Sequence, residues 1–135
     1  MAQFVLTDAV LTVAAVDLSD HVKSVTLNYS SGETDDTAMG ATALSRLGTL
    51  LDWSLDVEFM QDYASNEVDA TLFSLVGTSV ALTVKPTSAA TSATNPEFQG
   101  NGILLTYPPL SGSVGELAMT SVNFAGNGAL TRATS

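Results

Sequence analysis

Between positions 52 and 61 the chain reads DWSLDVEFMQ, with Trp53, Leu55, Val57 and Phe59 alternating with Asp52, Ser54, Asp56 and Glu58. A period of two marks a strand with one face buried and the other wet. The segment 22–29, VKSVTLNY, repeats the pattern, with Lys23, Val25, Leu27 and Tyr29 on one face and Val22, Ser24, Thr26 and Asn28 on the other. Shorter apolar runs fall at 4–6 with 10–16, at 79–85, at 102–107 and at 117–124, each bounded by Gly, Pro, Asn or Ser. Together they predict about seven short strands, the punctuation expected of an all-β domain.

One stretch keeps a different period. In ASNEVDATLFSLVG, Val68, Leu72 and Leu75 form a helical stripe with Phe73 and Val76 beside it. Ser65 or Asn66 stands where an N-cap belongs, Glu67 and Asp69 lie in the first turn, and Gly77 stands at the C-terminal stop. The spacing predicts one short helix over about 65–76, its stripe laid on an open face or end of the sheets. Two long connections remain. Residues 30–50 carry Gly32, Gly40 and Gly48 and no sustained period, so they read as a long loop, and loops longer than about 15 residues are usually functional or disordered. Residues 86–100 are small and polar, with Pro96 holding Asn95 extended. The expected architecture is mainly β: an antiparallel β-sandwich or partly rolled barrel with one short flanking α-helix, as a single domain over 1–135.

Composition narrows the function. The chain of 135 residues is 45% hydrophobic but only 13% charged, where roughly 25% is usual. A surface so poor in charge suits one that ends against neighbouring subunits, since interface cores are depleted of charge. Fourteen acids against four bases give a net charge of -10, which argues against tight binding to a phosphate backbone. DNA is then not expected as a tight ligand, and a role as cargo stays open. Without cysteine there is no disulfide framework, thiolate zinc site or thiol nucleophile. The N-terminal stretch lacks a basic region and carries Asp8 in its apolar run, unlike a signal peptide. No run approaches the ~18 apolar residues of a membrane helix, so no membrane partner is expected.

Candidate chemistry does not assemble. His21 is the only histidine; it reads as an ordinary strand-edge residue, and the segments GTSVA and SGSVG do not match a G-x-S-x-G elbow. Glu33, Asp35 and Asp36 are close in sequence, but an EF-hand loop starting at Glu33 would place Ala38 and Leu44 at its glycine and terminal acid positions. DDTAMG falls short of the D-T-G of aspartic proteases by Ala38. There is no phosphate loop. The Asn28-Tyr29-Ser30 sequon has no secretory signal to act with. Trp53 could join the tyrosines in a sugar platform, but it keeps the period of a core strand. The reading is a protein that is not an enzyme, with no catalytic residue, metal or cofactor.

The alternating strand pair around the Gly-containing connection, then WSLDVEFMQDYASNEVDATLFSLVG, VALTVKP and ATNPEFQGNGILLTYPPLSGSVGELAMTSVNFAGNGALTR, resembles in order the small major tail proteins, or tail tube proteins, of long-tailed phages and phage-like particles. The resemblance covers about 18–132 and rests on the order of elements and phrases such as TNPEF and GSVGELA, not on a catalytic signature. It implies a β-sandwich or rolled barrel whose copies join in hexameric rings. The rings stack into a tube through which DNA leaves the capsid, made in the cytoplasm of a bacterial host and resident in the virion tail. Implied partners are further copies of the chain and other tail proteins such as the tape measure, terminator and distal tail proteins. A long loop after an early strand commonly reaches adjoining subunits there, and 30–50 is the matching segment. Glu33, Asp35, Asp36, Met39, Leu44, Arg46, Leu47 and Leu50 are the expected contacts, with the acids solvated or meeting a neighbour's Lys23, Lys85 or Arg132. Acids facing the bore would let DNA slide without sticking, and Asp52, Asp56 and Glu58 are the nominees. The alternatives are another β-sandwich virion protein, such as a capsid decoration or head-tail connector subunit, and, further off, a carbohydrate-binding sandwich or small hydrolase.

Overall fold

A computed structural model of the chain describes residue 3 and residues 5–134; Phe4, counted above with the first strand, lies outside the described residues. The strands are β1 (Val10–Val13), β2 (Val16–Asp17), β3 (Val22–Asp35), β4 (Arg46–Met60), β5 (Ser79–Lys85), β6 (Glu97–Thr106), β7 (Met119–Gly126) and β8 (Thr131–Ala133). They form one sheet in the order β2-β1-β5-β6-β7-β4-β3, with β8 added along the first part of β6. Every strand pairing within it is antiparallel. The sheet is not closed, and it curls so that its two halves face one another. Leu27 and Trp53 on β3 and β4 share a narrow gap with Leu82, Val84 and Phe98 on β5 and β6.

The alternation read from the sequence builds this core. Trp53, Leu55, Val57 and Phe59 are all buried, as are Leu11 and Val13 on β1, Val80 and Leu82 on β5, Leu104 on β6, and Val122 and Phe124 on β7. Trp53 is 3% exposed and its Nε1 donates to the Gly128 carbonyl at 3.2 Å, so it is core and not a sugar platform. Gly100 and Gly126 make room for it. A Cβ at either would lie 2.6 Å from the Trp53 ring.

The helix is shorter than the pattern suggests. α1 spans Val68–Leu72 and runs on as a 3-10 turn, Phe73–Leu75. Val68, Thr71 and Leu72 are buried, while Phe73 and Val76 are exposed. Asn66 adopts a left-handed φ of 61° and Glu67 takes the N-cap position, in place of Ser65 or Asn66. Gly77, at φ 82°, ends the segment as expected, and its N–H donates to the Leu104 carbonyl at 2.8 Å.

Three further expectations change. The run 10–16 is two strands, not one, because Ala14 and Ala15 both take positive φ (51° and 68°) and make a two-residue hairpin turn. Turns of this class favour Asn and Gly, so alanines hid it. β6 starts at Glu97 rather than near Gly102, leaving a shorter loop whose buried Asn95 donates its side-chain amide to the Ala89 carbonyl at 2.8 Å. The largest change is in 30–50. Most of it is not loop: β3 and β4 stay paired past the body of the sheet through Ser30↔Asp52, Ser31↔Leu51, Glu33↔Gly48, Thr34↔Leu47 and Asp35↔Arg46. Only 36–45 is a turn region.

Candidate assembly surfaces

The β3–β4 hairpin carries two surfaces that the rest of this chain leaves uncovered. The first is its projecting arm, residues 30–51. Six residues of β3 at the usual strand rise carry it about 20 Å beyond Tyr29. Every described residue from Ser30 to Leu51 is exposed except Thr37, which is half-buried. Gly32 sits at a bulge where β4 carries an extra residue between its pairs with Ser31 and Glu33, and a Cβ there would collide with the Thr49 hydroxyl. The tip is held by short polar side chains. Thr37 N–H donates to Asp35 Oδ1 at 2.8 Å, Ser45 N–H donates to Thr37 Oγ1 at 2.6 Å, and Asp36 N–H donates to the Ser45 carbonyl at 2.9 Å. The Thr37 hydroxyl first and its backbone N–H second hold the Asp35 carboxyl below its ordinary range.

This geometry uses the acids rather than gathering them. Glu33 faces this chain's own Arg46 at 3.7 Å, Asp35 caps Thr37, and Asp36 is exposed. They form no cradle for calcium. The apolar side chains of the arm have no core to enter. Leu50 is 86% exposed, Met39 is fully exposed, and Leu44, Leu47 and Leu51 are exposed as well. A hairpin of two strands alone is marginal in water, and β3 also leaves its outer edge unpaired along its length. An unpaired edge of this kind is a template for another chain.

The second surface is the wet face of the hairpin's root. Opposed residues share a face, so Ser24, Thr26, Asn28 and Ser30 lie beside Glu58, Asp56, Ser54 and Asp52, with Ser121 and Asn123 of β7 alongside. Asp52 and Asp56 are exposed and Glu58 is half-buried. Asp56 accepts from Asn123 Nδ2, and from Asn28 Nδ2 at 3.4 Å. Ser24, Thr26, Asp56, Glu58, Ser121 and Asn123 line a shallow open groove. No Lys or Arg stands at any of these positions. The three acids thus occupy one polar face of a continuous sheet.

His21 is where the sequence reading missed most. It ends the 3-10 turn Ser19–His21, and its side chain, 16% exposed, meets Asp20, Asp62 and Glu67. Its partners at 62 and 67 lie far along the chain, so no local spacing announced them. One ligand atom each from Asp20, His21 and Glu67 lies within 4.8 Å of the others, the one such grouping among the described residues. Near it, Tyr107 donates to Asp69 Oδ1 at 2.6 Å and accepts from Gln61 Nε2 at 3.0 Å, tying the helix to the connection after β6. Burial and the hydrogen bond to Asp69 push the Tyr107 hydroxyl up to about 12.

No protein-family model and no curated protein matches the chain. Solved structures do. The chain superposes on one from the virion of a native gene transfer agent particle with a TM-score of 0.71 at 14% identity, covering 94% of this chain and 96% of that one. It shares that chain's fold. A second match, TM-score 0.65 at 16% identity over 82% of this chain and 81% of the other, comes from the tail of an empty gene transfer agent particle with C6 symmetry. The likeness is one of fold, and it spans nearly the whole of both chains in the first case. The resemblance to tail tube proteins read from the sequence therefore has a structural counterpart: two solved chains that share this fold come from a gene transfer agent virion and from a gene transfer agent tail.

Proposed function

We propose that the chain is a non-enzymatic structural protein of a phage-like tail, which assembles with copies of itself into hexameric rings stacked as a tube for DNA. The observation that carries this reading is the match over 94% of the chain to one from a gene transfer agent virion and over 82% to one from the C6-symmetric tail of an empty gene transfer agent particle. The open sheet and the exposed arm support it, because both leave backbone edge and apolar side chains unsatisfied in a single copy, and a closed ring of sheets removes such edges. In this reading Met39, Leu44, Leu47 and Leu50 bury against a neighbouring copy. Glu33, Asp35, Asp36 and Arg46 form the polar rim of that contact.

The acidic face gives the conduit its chemistry. Asp52, Asp56 and Glu58 face the bore, where carboxylates keep the phosphate backbone from adhering as it slides. DNA is cargo, the partners besides further copies are other tail proteins such as the tape measure, terminator and distal tail proteins, and the protein resides in the virion tail after synthesis in the host cytoplasm. Negative-stain microscopy of the purified protein tests this. Rings or tubes with sixfold symmetry are expected. Isolated compact particles at all concentrations would overturn the reading in favour of a decoration subunit or a binding module.

A further inference from the structure

His21 sits at a junction that tube assembly does not explain. Its Nδ1 lies 2.8 Å from Asp20 Oδ1 and 3.3 Å from Glu67 Oε2, and its Nε2 lies 2.9 Å from Asp62 Oδ2. A carboxylate can only accept a hydrogen bond, so a ring that serves carboxylates from both nitrogens must carry a proton on each. We infer that His21 is a proton-operated clasp: as an imidazolium it fastens the turn before β3 to the segment that leads into the helix, and on losing its proton it releases that segment.

The parts fit this use. Asp20 is on the turn of His21 itself, whereas Asp62 and Glu67 come from across the chain, on either side of the bend at Asn66. Among the described residues these three carboxylates are the charged groups that face the ring. Asp62 is itself held by the Ala64 N–H at 2.9 Å, and its backbone carbonyl accepts from the Asp69 N–H at 3.0 Å, so the clasp reaches the first turn of the helix. Burial of the ring works against its charge, but the hydrogen bonds to Asp20 and Asp62 and the charges of Asp20 and Glu67 outweigh burial and raise its pKa above 6.5. Asp62 is shifted the other way, below the ordinary carboxylate range, by the Ala64 N–H first and by His21 second. A histidine with a raised pKa contributes stability that is complete below about 6.5 and is lost as pH climbs through its folded value. The clasp is therefore shut in mild acid and opens as pH climbs through the raised value.

Because His21 is the only histidine in the chain, its ring nitrogens can be observed without ambiguity by long-range proton–nitrogen NMR. Both are expected to show imidazolium shifts at pH 6, with a titration midpoint above 6.5 that falls in Asp62→Asn and falls less in Glu67→Gln. Hydrogen exchange of the amides of 64–71, corrected for intrinsic rate, should lose protection as pH rises through that midpoint, by up to about tenfold per pH unit for one linked proton, and His21→Gln should abolish that slope. A neutral ring at pH 6, or the same slope in His21→Gln, would overturn the clasp. So would tight Zn2+ binding by the wild type that disappears in His21→Gln, which would make the cluster a metal site instead.

Discussion

One hairpin contains two regions with opposite physics. In its root, Val25, Leu27, Leu55, Val57 and Phe59 turn one face into the core while Thr26, Asp56 and Glu58 stay wet on the other. In its arm the same two strands continue in antiparallel pairing, yet neither face is covered by this chain. The root draws its stability from burial. The arm has its backbone ladder, one exposed ion pair and a polar tip, and pairs like Glu33–Arg46 are worth ~0–1 kcal/mol in water. The contrast indicates that the arm's leucines are not there for the fold of a single copy.

Substitutions can break or sharpen that contrast. In the root, Leu55→Ala should cost about 2–5 kcal/mol by leaving a cavity at a fully buried site, read as a fall in the denaturation midpoint, and assembly should fail with the fold. Gly126→Ala should cost about 1–3 kcal/mol, since its Cβ would press on the Trp53 ring at 2.6 Å and on a backbone carbonyl that cannot step aside. A Gly126→Ala protein as stable as the wild type would show that the root is packed more loosely than its burial implies. Changes at exposed positions of the arm should fall within about 0.5 kcal/mol in the single copy.

How much of this could be read from residues follows from the same contrast. The root was legible because burial of one face writes a period of two into the sequence. That period also placed Asp52, Asp56 and Glu58 together on the opposite face before any coordinates. The arm was read as a loop because no core imposes a period on it. SSGETD and RLGTLL satisfy strand geometry without alternating, and the bulge at Gly32 disturbs what register there is. The turn at Ala14-Ala15 lacked the usual residues, and β8 was too short to signal itself. The His21 cluster was invisible for a topological reason: its partner Asp62 is 41 residues away, brought near only by the return of β4 to the start of β3. Among the described residues, eight strands and a short helix say how the chain is built, while its use had to come from what the fold leaves uncovered.

The central claim is that the arm exists for a neighbouring copy. Its most direct test is the double substitution Leu47→Asp with Leu50→Asp, measured in parallel by denaturant unfolding and by sedimentation with negative-stain microscopy. The account predicts a chain that unfolds within about 0.5 kcal/mol of the wild type and sediments as a monomer under conditions where the wild type forms rings or tubes. Rings and tubes forming as readily in the double variant as in the wild type would contradict it.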